Sequence, residues 1–262
     1  MPPRIVLASV CLAATLAAQF GFRGRGFGDP SIDIPYGPDT EFHFLRMEYT
    51  DLFRSRGPFR RGWWAVDWPE AEIHFAQGIR RLTRIDTGNG RHMRITDERI
   101  FHHPWIYATQ AGFWDISDAE AVRMREYLLR GGFLVVDDFH GEQDWGVFRE
   151  SMLRVFPEQP ILDIEDGHPI MGVLYQIKER VQIPGLRHLR RGSGGQTVIQ
   201  PQAVPPTWRY IADPKGRMVV AINFNMDIGD AWEHADMPEY PEAMTSLAYR
   251  FGINYIVYSM TH

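Results

Sequence analysis

Cysteine is nearly absent from this chain of 262 residues, in which Cys11 is the only one. Beyond residue 11 there is therefore no disulfide, no thiolate nucleophile and no cysteine metal site. Any catalysis must use histidine, carboxylate, hydroxyl or amide groups. The formal net charge of −5 lacks the positive excess typical of nucleic-acid-binding surfaces, so no nucleic-acid partner is expected.

Long apolar runs are also missing, except at the N-terminus. Arg4 precedes an uninterrupted apolar and small stretch from Ile5 to Ala18, which is too short to cross a bilayer comfortably. Small residues allow cleavage after Ala17 or Ala18. This pattern is typical of a secretory signal peptide, and it predicts export to the periplasm or beyond, with no transmembrane segment in the mature chain. An uncleaved anchor is the alternative.

The sequence predicts three regions. Residues 1–18 form the signal peptide, and residues 19–40, rich in Gly, Pro and Asp without periodicity, form a linker or N-terminal arm. Residues 41–262 form a single α/β domain. A hydrophobic content of 44% with 13% aromatics is sufficient for a well-filled core.

A strand–helix–strand unit is the clearest pattern. Trp105–Thr109 is a β-prone run, and Ser117 with Glu120 has the spacing of a capping box that begins a helix. Gly131 and Gly132 end that helix, and Phe133–Val136 is typical of a strand buried on both faces. This order predicts a parallel sheet with right-handed crossovers.

Weaker patterns extend this to a mainly parallel central sheet flanked by helices. The further predicted elements are a strand at Phe42–Leu45, a helix at Glu70–Thr83 that buries Ile73, Ala76, Ile79 and Leu82, a helix at Trp145–Val155, a strand at Val173–Ile177 and a C-terminal helix from Pro241. Trp208–Ala212 and Arg217–Ile222 flank a turn and predict a β-hairpin extension.

Five segments resemble one known family: Asp67 to Glu72, Leu82 with Thr83, Tyr127 to Asp138, His168 to Ile170, and Asn223 to Glu233. On these motifs the chain is similar to the bacterial family called domain of unknown function 4159, over nearly its whole mature length. The resemblance implies the flavodoxin-like α/β fold of the class I glutamine-amidotransferase-like group, and no settled activity. Amidotransferases of that group use a cysteine at a strand-to-helix elbow, so the lack of cysteine excludes their chemistry.

Catalytic candidates follow the buried strand. In open parallel sheets the ligand crevice lies beyond the carboxyl ends of the strands, and the candidates there are Asp137, Asp138, His140 and, further along the chain, Asp227. Only one of Asp137 and Asp138 is expected to face the crevice, while the other caps a helix or pairs with an arginine. His140 beside a carboxylate suits a general base or a metal ligand. Alternatively, these residues only bind loop amides.

A second constellation supplies ligand-binding candidates. Asn223, Asn225 and Asp227 alternate along the chain, which is weakly similar to a calcium loop, but Ile228 and His234 stand where such a loop requires glycine and glutamate. The ligand-binding candidates are Asn223, Asn225, Asp230, Trp232, Glu233 and His168. Trp232 is a candidate stacking surface, with core packing as its alternative. No cofactor is predicted, and a divalent cation is left open.

Three functional hypotheses remain. The favoured one is an envelope domain that binds a protein or a glycan, and it predicts a pocket without acids or bases of shifted pKa. The alternative is a hydrolase of a glycan or another polar substrate that uses Asp and His, with or without a cation. It predicts that these side chains converge around a cleft. The third is an assembly subunit whose Trp63 to Trp68 loop forms an exposed aromatic contact surface. The sequence does not indicate an oligomeric state.

Overall fold

The computed structural model describes residues 40–52, 61–192, 196–200 and 205–262. The predicted signal peptide and most of the predicted arm lie outside the described residues. The strands in chain order are β1 (Leu45–Glu48), β2 (Thr50–Asp51), β3 (Arg91–Arg94), β4 (Trp105–Thr109), β5 (Trp114–Asp115), β6 (Phe133–Phe139), β7 (Ile161–Asp163), β8 (Leu189–Arg191), β9 (Thr197–Ile199), β10 (Thr207–Ala212) and β11 (Met218–Phe224).

Seven of these strands form one sheet in the order β3-β1-β4-β6-β11-β10-β7. The first five run parallel, and β10 and β7 add an antiparallel edge. Two short antiparallel pairs, β2 with β5 and β8 with β9, lie outside this sheet. The predicted mainly parallel α/β architecture is confirmed, as is the hairpin of β10 and β11.

In the described residues, five α-helices cover the two faces of the sheet. They are α1 (Glu70–Leu82), α2 (Asp118–Leu129), α3 (Gly141–Val155), α4 (Ile228–Glu233) and α5 (Glu242–Thr261). One apolar core contains residues of α1, α4 and α5, and the other contains residues of α2 and α3. Successive residues of β6 alternate between these cores, as a strand buried on both faces requires.

The predicted capping box begins α2. The Ser117 hydroxyl accepts a hydrogen bond from the Glu120 N–H, and the Glu120 carboxylate accepts one from the Ser117 N–H. The helix ends at Leu129, and Gly131, whose φ is 112°, turns the chain back towards β6.

Three local predictions are corrected. Residues Val173–Ile177 form no strand, and they contact α5 through Asn254, whose side chain binds the backbone of Tyr175. The α1 prediction is correct in extent, but Ile73 and Leu82 are exposed because the buried stripe runs through Ala71, Glu72, Phe75, Ala76 and Ile79. Strand β6 continues to Phe139 and so includes both aspartates.

The described part of the chain contains no helix that is both long and apolar enough to span a membrane.

Candidate metal centre

Acidic side chains converge at the carboxyl ends of the parallel strands. Asp138 is the penultimate residue of β6, and Asp227 and Asp230 lie at the start of α4, shortly after β11. Asp67 precedes α1, and its backbone carbonyl accepts the Ala71 N–H at 3.0 Å. The chain order therefore brings these four carboxylates from three separate segments to one edge of the sheet, where the ligand crevice of an open parallel sheet lies.

Asp137 and Asp138 point in different directions, as predicted. Asp137 Oδ2 accepts hydrogen bonds from the Tyr107 hydroxyl (2.8 Å) and from the backbone N–H groups of Ile228 (2.8 Å) and Gly229 (3.1 Å). It therefore fixes the first turn of α4 from beneath, and burial, with the neighbouring Asp138, raises its pKa well above the usual range. Asp137 thus positions the site through Oδ2, while its Oδ1 is buried without a hydrogen-bond partner.

Asp138 faces the cluster. Its Oδ1 accepts from His140 Nε2 at 2.9 Å and from the Arg187 guanidinium at 3.3 Å, and its Oδ2 binds the Gln110 amide. The left-handed backbone of Asp138, with φ of 49°, turns its side chain away from that of Asp137. The His140 ring is thus oriented by a carboxylate, which is the arrangement that favours a metal ligand or a general base.

Three overlapping groups of side chains could hold a metal ion. In each group the ligating atoms lie within 4.8 Å of one another. The groups are Asp138 with His140 and Asp227, Asp67 with Asp227 and Asp230, and Asp230 with Glu233 and His234. Asp227 and Asp230 each belong to two groups, so these seven residues form one continuous acidic cluster. Carboxylate and imidazole ligands suit divalent cations.

Burial and neighbouring negative charges raise the pKa values of three carboxyl groups in the cluster. Burial is the largest cause of the raised pKa of Asp67, and the charges of Asp230 and Asp138 add to it. Burial and the charge of Asp138 raise the pKa of Asp227 in the same way. Burial and Asp230 raise the pKa of Glu233 to about 7. Close carboxylates that share one partly buried site resist ionising together, and a bound cation would relieve this repulsion.

Several contacts hold the cluster in place. Asp227 Oδ1 caps α4 through the Asp230 N–H at 2.8 Å. Asp230 Oδ2 accepts the Leu186 N–H at 2.6 Å, which ties the segment Gly185–His188 to the cluster. Asp67 Oδ2 is buried without a hydrogen-bond partner.

Backbone strain is also concentrated here. Asp67, Gln110, Asp138 and Asn225 are the non-glycine residues with positive φ among the described parts of the chain, at 63°, 54°, 49° and 56°. Gln110, Asp138 and Asn225 lie at the carboxyl ends of β4, β6 and β11, and Asp67 lies just before α1, so all four are at or beside the acidic cluster. Such conformations cost free energy and are found where a site must be preorganised.

Glycine is required at two positions where the backbone contacts the cluster. A Cβ at Gly185 would lie 2.5 Å from Asp227 Oδ2 and 3.1 Å from Asp230 Oδ2. A Cβ at Gly229 would lie 2.7 Å from both Asp67 Oδ2 and the Tyr107 hydroxyl. Any larger residue would displace these carboxylates.

Other predicted site residues lie elsewhere. Trp232 is fully buried, and its ring stacks on Phe75 with centroids 4.1 Å apart, so it cannot be a stacking surface for a ligand. Asn223 accepts a hydrogen bond from the Tyr255 hydroxyl at 2.7 Å inside the α5 core. His168 caps a short 3₁₀ turn and packs on Tyr258, whose hydroxyl binds Met218 at the opposite, amino end of β11.

Asn225 also departs from the prediction. Its left-handed backbone ends the alternation with Asn223 and Asp227, so the three side chains do not share one side. Its Oδ1 accepts the Gly141 N–H at 2.9 Å, and its amide donates to the Pro205 carbonyl at 3.1 Å. Asn225 therefore joins the turn after β6 to the turn after β11. Asp230 and Glu233, in contrast, lie inside the acidic cluster.

Sequence reasoning missed Asp67, Arg187 and His188. Asp67 belongs to the family motif Asp67 to Glu72 and stands before a helix, but neither feature indicates a role at a site far along the chain. His188 packs its ring 5.5 Å from that of His140, and burial with the charges of Arg187 and His140 lowers its pKa to about 4. Arg187 lies in the short 3₁₀ turn Leu186–His188, and no sequence motif marks it.

A family model described as "Domain of unknown function (DUF4159)" matches residues 43–260. The chain belongs to the DUF4159 family. The match includes every residue of the acidic cluster, so the cluster is part of the DUF4159 domain. A search of the curated proteins finds no match to the chain.

Proposed function

We propose that this DUF4159 protein is a hydrolase whose acidic cluster binds divalent cations. The observation that carries the proposal is the convergence of five carboxylates and two imidazoles into three overlapping ligand groups. A cation would offset the repulsion that raises the pKa values of Asp67 and Asp227. The unpartnered, buried Asp67 Oδ2 adds an oxygen that still has its ligand capacity.

The hydrolase hypothesis is preferred to the binding hypothesis for two reasons. The binding hypothesis requires a pocket without acids or bases of shifted pKa, whereas Asp67, Asp227 and Glu233 all have raised pKa values. The hydrolase hypothesis requires aspartate and histidine side chains to converge, as Asp138, His140 and Asp227 do. Perturbed acids that converge in this way favour a catalytic site.

The assembly hypothesis loses its main support. Trp64 and Trp68 are each only 6% exposed. Trp63 stacks on Phe113 with ring centroids 4.4 Å apart. These tryptophans therefore pack within the domain and do not form the exposed aromatic surface that the hypothesis requires.

The cluster has the parts that metal-assisted hydrolysis uses. A bound divalent cation supplies an activated water at neutral pH. Asp138 orients His140, and Glu233, with a pKa of about 7, is suited to exchange a proton near neutral pH. Outer members of the cluster are accessible, since the side chains of His140, His234 and Glu233 are 15%, 16% and 26% exposed.

The relation to the flavodoxin-like and glutamine-amidotransferase-like folds is part of the same proposal. Numbered by their order along the chain, the five parallel strands have the spatial order 2-1-3-4-5, which is the flavodoxin-like order. In such sheets ligands bind at the carboxyl edge, where the order reverses. The acidic cluster lies at that edge, and in this proposal it supplies the catalytic groups in place of the cysteine that amidotransferases use.

Export through the N-terminal segment completes the proposal. The charged start and short apolar stretch of residues 1–18 support cleavage by a signal peptidase. Expression in a bacterial host followed by mass measurement of the extracytoplasmic protein tests this. The measured mass should be that of a mature chain that begins at residue 18 or 19. A full-length cytoplasmic product would contradict export.

Metal content and thermal stability test the cation site. We expect Mn²⁺, Mg²⁺, Ca²⁺ or Zn²⁺ to raise the melting temperature of the wild-type chain, and Asp227→Asn and Asp138→Asn to remove most of that gain. Asparagine at 227 retains an oxygen that can cap α4, so the fold should survive. Asp236→Asn is the matched control, because Asp236 is exposed just beyond α4 and belongs to none of the ligand groups. A wild-type protein that responds to no divalent cation would refute the proposal.

A further inference from the structure

Arg187 lies at the outer end of the acidic cluster and is only loosely held. One guanidinium nitrogen is 3.3 Å from Asp138 Oδ1, and the Arg187 side chain is 53% exposed while that of Asp138 is 2% exposed. Asp138 already binds His140 at 2.9 Å and the Gln110 amide. The carboxylate therefore has closer partners, and most of the donor capacity of Arg187 faces solvent.

A cation would change the charge balance around Arg187. Asp138 and Asp227 bring two carboxylates to their ligand group, which a divalent ion bound there would contact. Asp138 would then share its negative charge between the ion and Arg187. The exposed Arg190 is fixed nearby, because its Nη1 donates to the carbonyl oxygens of Arg187 and Leu189 at 2.8 Å each. The ion and the Arg187 guanidinium would therefore present positive charge to the same anionic group.

A cavity lies beside the segment that carries Arg187. It has a volume of about 530 Å³, and its lining residues include Leu186, Arg190, Arg191 and Glu239. The backbone N–H of Leu186 binds Asp230 Oδ2 at 2.6 Å, which ties this segment to the cluster. The residues on both sides of Arg187 in the chain therefore line a space that can receive part of a larger ligand.

We propose that the substrate of this site is a phosphate ester whose phosphoryl oxygens bind both the cation and Arg187. The inference rests on the proposed cation-dependent hydrolase. A guanidinium forms paired hydrogen bonds with phosphoryl oxygens, and a cation together with an arginine is an effective clamp on a phosphoryl group during its transfer. A neutral glycan carries no anionic group for the cation and the Arg187 guanidinium to bind together.

The reaction consumes only water. The oxygen of water forms a bond to phosphorus, and the ester P–O bond breaks. The proton lost by the water passes to a carboxylate of the cluster and then to the departing alkoxide oxygen. The products are an alcohol and inorganic phosphate, and no group is oxidised or reduced.

Titration calorimetry with inorganic phosphate, in the presence and absence of Mn²⁺, tests the substrate class. Phosphate should bind only with Mn²⁺ present, and Arg187→Gln should weaken that binding at least tenfold while Mn²⁺ binds as tightly as before or more tightly. Arg154→Gln is the matched control, because Arg154 is also half-exposed, at 42%, and has only long side-chain contacts, 3.4 Å to Asp118 and 3.5 Å to Ser151. The wild type with Mn²⁺ should also hydrolyse p-nitrophenyl phosphate, and Arg187→Gln should reduce kcat/KM at least tenfold.

The outcomes separate the two proposals. If Mn²⁺ binds but phosphate does not, or if Arg187→Gln binds phosphate like the wild type, the phosphate-ester inference is wrong and the cation centre stands. If p-nitrophenyl acetate is hydrolysed and p-nitrophenyl phosphate is not, the hydrolase stands with another substrate class. If no divalent cation binds, both proposals fail.

Discussion

Glu233→Gln is expected to stabilise the cation-free protein at alkaline pH and to change it little at acid pH. Burial and the charge of Asp230 raise the pKa of Glu233 from 4.5 to about 7. The pKa of this carboxyl group is higher in the folded chain than in the unfolded chain. Its contribution to folding stability is therefore fully present below pH 4.5 and is lost as the pH rises through 7. Glutamine carries no proton to lose, so the variant avoids the penalty.

The size of the effect follows from the pKa. Each tenfold change in proton affinity corresponds to about 1.4 kcal/mol, so the rise of the pKa from 4.5 to about 7 costs at most about 3.5 kcal/mol once the group is ionised. The Glu233 side chain is 26% exposed, and solvent screening makes this an upper limit. A domain of this size gains about 2–4 °C per kcal/mol, so a rise in melting temperature of roughly 3–10 °C is expected near pH 8.5.

Thermal melting with a chelator, at about pH 4.5 and about pH 8.5, measures this. Glu158→Gln is the control, because Glu158 is an exposed loop residue. Saturating Mn²⁺ should then stabilise the wild type more than Glu233→Gln. The reasoning is refuted if the variant is no more stable than the wild type at pH 8.5, or if it gains equally at both pH values.

Three further predictions test the surroundings of the cluster. Gly185→Ala should lower cation affinity roughly tenfold or more by displacing carboxylates, as measured by titration calorimetry. Gly146→Ala has open space at its Cβ and should instead raise the free energy of unfolding by about 0.5–1 kcal/mol, as measured by melting. Glu72→Gln should lower the free energy of unfolding in urea by about 3–5 kcal/mol, because it leaves the buried charge of Arg46 without its ion-pair partner. The exposed Glu126→Gln should lower it by less than about 1 kcal/mol. Burial lowers the pKa of His103 to about 4, so stability is lost as the pH falls from 6.5 towards 4, and His103→Asn should reduce that loss in melts at pH 7 and 4.5.

The sequence predicted the elements that depend on local signals. The capping box at Ser117, the glycines after α2 and the apolar run of β6 each specify a boundary or a burial state by short-range chemistry. The strand predicted at Val173–Ile177 does not form, although the segment is apolar enough for one, because backbone groups of the segment bind Asn254 of α5. That contact is made by a residue about 80 positions away, and no local pattern encodes it.

The candidate site was only partly predictable for the same reason. Asp138, His140 and Asp227 follow buried strands, so the rule about carboxyl ends places them correctly at one edge. Asp67 reaches the cluster through a loop before α1, which Arg46 holds by hydrogen bonds to the carbonyl groups of Trp64 and Val66. The buried pair of Arg46 with Glu72 is a tertiary feature. A sequence shows two charged residues there, with no sign that they meet.

The two glycines beside the cluster limit how a ligand can arrive. The backbone at Gly185 lies against Asp227 and Asp230, and the backbone at Gly229 lies against Asp67, so main chain closes these two sides. Arg187 and Glu233 have the more exposed side chains around the cluster, at 53% and 26%. A molecule that approaches from solvent therefore meets an arginine and a carboxyl group before it reaches the buried carboxylates.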